Sequence, residues 1–203
     1  MSDDNTDLLA ALKAGRSTAI RAMRDADGQL PSLAGESFDN LTLTAVDLSG
    51  VDLSNTEFDG GLLDRVDFSG ANLSGAFFDG VTLINCRFDG AKLDGTAIDA
   101  SVLKQVTLVE ADVTGLELTG TEVVESTIAN LSFDDVSFEA VTVKAGTIRA
   151  IRGGSGSWSH VTLRDVEIED VDLGDIEVSH CTTSADTPLP GFSKLSGRRR
   201  RIL

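Results

Sequence analysis

The side chains present in numbers that could do chemistry are carboxylates. Thirty-three Asp and Glu stand against 17 Lys and Arg in a chain of 203 residues, a formal net charge of −16. Four of them, Asp39, Asp59, Asp79 and Asp99, recur at intervals of 20 residues. If 20 residues make one structural turn, these four stack into an outward ladder. Like charges directly opposite one another destabilise a sheet, so such a ladder is not an optimum for stability. Two readings compete. One is chemical: a mimic of a phosphate row, or a strip for cations. The other is a solvated acidic surface that keeps the protein soluble. A second acidic set, Asp165, Glu167, Glu169, Asp170, Asp172, Asp175 and Glu177, sits near the C-terminal end, shortly before the run Arg198-Arg199-Arg200-Arg201.

Other reactive types are scarce. His160 and His180 are also 20 residues apart and are expected to be outward neighbours. Two imidazoles are too few ligands for a metal centre, so the expectation is a pair of surface histidines and no metal. Cys86 and Cys181 are separated by a distance that is no multiple of 20, which places them in distant turns and excludes a disulfide. No P-loop, dinucleotide fingerprint or Ser–His–Asp arrangement is present. No catalytic residue and no cofactor is expected.

What positions the carboxylates is a period of five. Every fifth residue from Phe38 to Val178 is Phe, Leu, Ile, Val or Trp at 28 of 29 positions, against 41% hydrophobic residues overall; the exception is Gly153. Seven of the nine Phe residues fall in this phase. A second phase, two residues earlier, runs from Glu36 to Ile176 and is mostly Val, Ala, Thr, Ser, Gly and Cys. Each unit therefore offers one large and one small inward position. The rest are polar, as in Val46-Asp47-Leu48-Ser49-Gly50 and Ala71-Asn72-Leu73-Ser74-Gly75. Such a period is neither helical nor that of a simple strand. It suits a chain that turns a corner after each short extended step, with units that bury their faces only by stacking.

These units resemble those of pentapeptide-repeat proteins: a small residue, Asp or Asn, Leu or Phe, then two polar residues. The resemblance covers residues 36–182 and implies an all-β solenoid, a right-handed four-sided β-helix of about seven coils. The Asp/Asn slot departs from the pattern in the second half, as at Thr107, Thr127 and Glu167. At Ile151–Trp158 two inward slots are empty, Gly153 and Gly156. Room for the Trp158 indole is the expected reason, with a bulge or functional loop as the rival.

Residues 1–35 lie outside the period and read as a helical cap. The spacing predicts a helix over Asp7–Ala14 and a second over Ser17–Arg24, with Ser17 as its N-cap. Residues 183–203 carry Pro188, Pro190 and the four arginines, and read as a basic, disordered tail. Residues 36–182 hold 27 acidic and eight basic residues. That excess argues against direct nucleic-acid binding by the repeats. No apolar run spans a membrane, and the acidic start shows no leader, so a cytoplasmic protein is expected. A non-enzymatic scaffold follows, binding a protein partner through Asp39, Asp59, Asp79, Asp99 and Arg198–Arg201; a homodimer is compatible with it. The resemblance implies an alternative: some family members mimic B-DNA and bind DNA gyrase, inhibiting it or protecting it from quinolones.

Overall fold

The computed structural model describes residues 3–24 and 27–184, with side chains from Thr6 onward. Arg198–Arg201 and most of the basic terminus lie outside the described residues. The repeats form a parallel β-solenoid of about seven coils. The register steps by 20 residues throughout: Phe38 pairs with Phe58, Phe58 with Phe78 and Phe78 with Ile98. Four five-residue steps thus close each coil. The first face centres on Phe38 and Phe58, the second on Leu43 and Leu63, the third on Leu48 and Phe68, the fourth on Leu53 and Leu73. The first two faces merge into one 14-stranded sheet, because strands Ser37–Thr44 and Glu57–Asp64 run through their shared corner.

Two local devices turn the chain. The residue that ends each unit commonly adopts the left-handed conformation, as at Asn40, Asn55, Asn85 and Gly50, Gly70, Gly90. Asn and Gly tolerate that region best, which explains their enrichment there. The second device is the Asp/Asn slot. Asp52 Oδ1 accepts from the Ser54 N–H at 3.1 Å and from the Ser54 hydroxyl at 2.8 Å; Asp47 with Ser49, and Asn72 with Ser74, repeat the motif. A side chain that bonds the backbone two residues on bends it locally, so these units form isolated bridges rather than strands. On the same third face, Thr107, Thr127 and Thr147 replace the Asx residue, and the chain straightens into a four-stranded sheet. β-Branched Thr favours the pleat and offers no such bond.

Inside, the large positions stack as columns. Phe38–Phe58 and Phe58–Phe78 have ring centroids 5.1 and 4.7 Å apart, and Phe68–Phe88 5.0 Å. Hydroxyls in the small slot are satisfied by carbonyls: Thr56 donates to Leu53 O at 2.6 Å and Thr96 to Leu73 O at 2.8 Å. Where the slot is Gly61, φ is +100° and an added Cβ would lie 2.3 Å from Leu41 O, so the coil closes there only with glycine. At the irregular stretch the register is unbroken: Phe133 pairs with Gly153, Val136 with Gly156 and Phe138 with Trp158. No bulge forms. Trp158 stacks on Phe138 at 5.4 Å, and the vacated Gly153 slot admits the Leu173 backbone, 2.1 Å from where a Cβ would sit.

The N-terminal end is covered by two helices, α1 (Asp3–Lys13) and α2 (Ser17–Ala22). Leu8, Leu12 and Ile20 are buried against the first coil. Ser17 is not the N-cap expected from sequence: Arg16 holds that position, with no side-chain cap bond, and α2 ends at Ala22. The chain has turned through the corner at Gly15 (φ +63°), which sets the helix start one residue earlier. The solenoid ladder begins before Glu36, with Leu33 N–H donating to Asp52 O and Gly35 N–H to Ser54 O.

Arg24 completes the cap. Its guanidinium donates to the carbonyls of Asp47 at 3.1 Å and Ser49 at 3.4 Å, acceptors that elsewhere face a preceding coil, and pairs with the Asp47 carboxylate at 2.7 Å. Burial pushes the Asp47 carboxyl up, but the Ser49 hydroxyl, the Ser49 N–H and Arg24 outweigh it and hold it below its ordinary value. The Ser54 hydroxyl is the largest cause of the same downward shift at Asp52, burial opposing it. A depressed folded-state value contributes stability above the unfolded value of 3.8 and loses it as pH falls through the folded one. The urea midpoint should therefore fall below about pH 4. Replacing both Asp47 and Asp52 by Asn should lower the midpoint at pH 7 and flatten the acid decline. An equally steep decline in the double variant would remove these carboxylates from the account.

Candidate interaction surface

The register brings Asp39, Asp59, Asp79 and Asp99 into one column, each paired with the next. Asp39 and Asp59 are exposed, Asp79 and Asp99 partly so. The column continues through Thr119 to Glu139. The parallel outward column of the same face adds Glu57, Glu117 and Glu177. The outward positions of the first face therefore carry eight carboxylates, Glu36 in its small slot makes a ninth, and none of its positions among the described residues is Lys or Arg.

The other faces differ. On the second, Asp64, Glu122, Glu125 and Asp165 are matched by Arg65, Lys104, Lys144 and Arg164. Lys104 and Lys144 share a column there with Val124 between them, and Lys144 pairs with Glu122. The third and fourth faces each hold seven acidic and two basic residues. The late acidic set from Asp165 to Glu177 does not form one patch: it wraps the last coil across all four faces. One of its members, Asp170, takes Arg152 at 2.7 Å. The cross-section is thus lopsided in charge, with the first face uniformly negative and the second balanced.

His160 and His180 stand in adjacent coils at the corner beyond this column, rings parallel with centroids 4.8 Å apart. Ser159 Oγ lies 2.9 Å from His160 Nδ1. Among the described residues no group of three or more His, Cys, Asp or Glu is arranged to hold a metal ion. Cys86 is buried and Cys181 half-buried, both free thiols. Burial pushes the Cys86 thiol up to about 11, so it is an inert core residue. An open groove of about 570 Å³ lies at the opposite end from the histidines, between Lys13–Gly15 and the edge of strand Ser37–Thr44. No described helix is long and apolar enough to cross a membrane.

Sequence reasoning passed over one residue here. Phe77 is one of two Phe residues outside the five-residue phase, and it points outward, 39% exposed, beside the Asp column. The off-phase position was the available signal.

Stacked five-residue units closing a coil every 20 residues define a β-solenoid repeat protein. The fold is a β-solenoid, and residues 62–96 match the model of the pentapeptide repeats family, in eight copies. No curated protein sequence matches the chain significantly. Among solved structures it is similar to QnrB1, a plasmid-mediated fluoroquinolone resistance protein, with 19% identity over 75% of this chain and 86% of that one, TM-score 0.49. It is also similar to HetL, a pentapeptide repeat protein involved in heterocyst differentiation regulation from the cyanobacterium Nostoc sp. strain PCC 7120. There the identity is 12% over 80% and 94% of the two chains, TM-score 0.34.

Proposed function

We propose that the protein is a non-enzymatic interaction module whose first face docks on a basic surface of a protein partner. The observation that carries this reading is the single sign of charge on that face, eight outward carboxylates without one Lys or Arg among the described residues. Charge complementarity of this kind steers encounter and selects partners, and phosphate-bearing molecules are repelled. Replacing Asp39, Asp59, Asp79 and Asp99 by Asn keeps the shape and removes four charges. The variant should melt higher, by about 1–4 °C, because repulsion along the ladder is relieved. Immobilised wild-type protein should retain from a cell extract proteins that the four-Asn variant does not, with the contrast largest at low salt. Equal retention by both would overturn the reading.

Mimicry of a nucleic-acid duplex is a second reading, favoured by charge density. Twenty-seven acidic and eight basic residues occupy residues 36–182. Seven coils at ~4.8 Å give a rod of roughly 34 Å, hence one net negative charge per ~1.8 Å, beside ~1.7 Å for B-DNA. DNA gyrase is the partner to test: the wild-type protein should inhibit supercoiling or protect against a quinolone at micromolar concentration, and the four-Asn variant should not. No effect of the wild type would discard this version while leaving the first untouched.

A further inference from the structure

Phe77 sits where the other residues of its column have little reason to be aromatic. Its equivalents are Ser37, Glu57, Ala97, Glu117, Ser137, Ser157 and Glu177. A lone exposed apolar side chain is ordinary. What distinguishes this one is its surroundings. Phe77 pairs in register with Glu57 on one side and Ala97 on the other, and Ala97 with Glu117. Two residues along the same strands, on the same outward side, stand Asp59, Asp79 and Asp99. The ring, with the small Ala97 beside it, is bracketed by five carboxylates and no cation.

Building on the acidic-face reading, we propose that Phe77 is the anchor of this surface and that it takes an arginine side chain of the partner protein. A guanidinium is planar and weakly hydrated, stacks on an aromatic face, and keeps its N–H fork free for carboxylates alongside. A lysine ammonium satisfies the charges but stacks less well. A metal cation or a solvating role would make no use of the ring. The site therefore discriminates arginine from lysine, which the Asp ladder alone does poorly.

The test uses the full-length protein and two acetylated, amidated peptides of equal charge, tetra-arginine and tetra-lysine, titrated at low salt. The wild type should prefer tetra-arginine, and Phe77→Ser, which installs the residue found at 37, 137 and 157, should reduce that preference by about two- to fivefold. Its tetra-lysine affinity should stay unchanged, its melting curve should match the wild type, and Phe77→Trp should keep or enlarge the preference. An Arg-over-Lys ratio that Phe77→Ser leaves intact overturns the anchor. The four-Asn variant separates the two levels: if it binds both peptides as the wild type does, the acidic-face reading itself fails. A variant with Ser at Arg198–Arg201 identifies the source of the arginine. Unchanged peptide affinity supports a partner; tighter binding overturns that assignment and gives the site to the chain's own terminus.

Discussion

Phe58→Asp should abolish folding of the N-terminal half of the rod. Phe58 is 2% exposed and lies between Phe38 and Phe78, centroids 5.1 and 4.7 Å away. Removing a buried Phe side chain costs about 3–5 kcal/mol by itself. The carboxylate would add an unpaired charge to a buried column of apolar side chains. Stabilities of whole domains are about 5–15 kcal/mol, and a solenoid is held together coil by coil. The substitution also removes contacts on both sides, because each coil is stabilised only by its neighbours. Circular dichroism should show loss of much of the β signal. Phe58→Leu is the control: it keeps the position apolar and should lower the melting temperature while leaving a folded rod. A Phe58→Asp protein that melts like the wild type would contradict the inward column.

Replacing Leu8 and Leu12 together by Asp should detach the helical cap. Both are within 1% of full burial, share the apolar core with Phe38 and Leu43, and lie on α1, which contacts strand Ser37–Thr44. Among the described residues, strand Ser37–Thr44 is an edge, paired only with Glu57–Asp64. Without the cap, its free backbone groups and the apolar column end face solvent together, the combination that recruits other strands. The expected result is soluble oligomers and aggregates by light scattering at concentrations where the wild type stays dispersed. Arg24→Ala is the milder counterpart. It opens the carbonyls of Asp47 and Ser49 but leaves the apolar cover, so it should lower the melting temperature without aggregation. A double-Asp variant that remains dispersed would assign the helices a role other than capping.

Much of the acidic ladder is legible in the sequence. The 20-residue spacing of the four Asp residues follows from the five-residue phase, because four short units per coil fix which residues stack. Their outward direction follows from the large and small apolar slots, which must both face in. Ser17 was misread because a serine before an apolar pair satisfies the local rule for a helix start, while the corner at Gly15 sets the true one. The late acidic set lies in the last coil, as its place in the repeat implies. Its members are close in sequence, but a chain that turns every five residues sends them to different faces.

The sequence alone therefore determined the repeat, the coil length, the inward columns and the acidic ladder, since each depends on periodic side-chain burial within one short unit. Only the tertiary structure decided which of these charges pair, as Arg152 does with Asp170 and Lys144 with Glu122, because the period does not fix the reach of side chains between coils. It also revealed Arg24 as a substitute for a missing coil, because the bonds it makes reach carbonyls 23 and 25 residues away. Phe77 belongs to the same class. Its exposure, and the five carboxylates around it, come from four successive coils that meet only when the solenoid is closed.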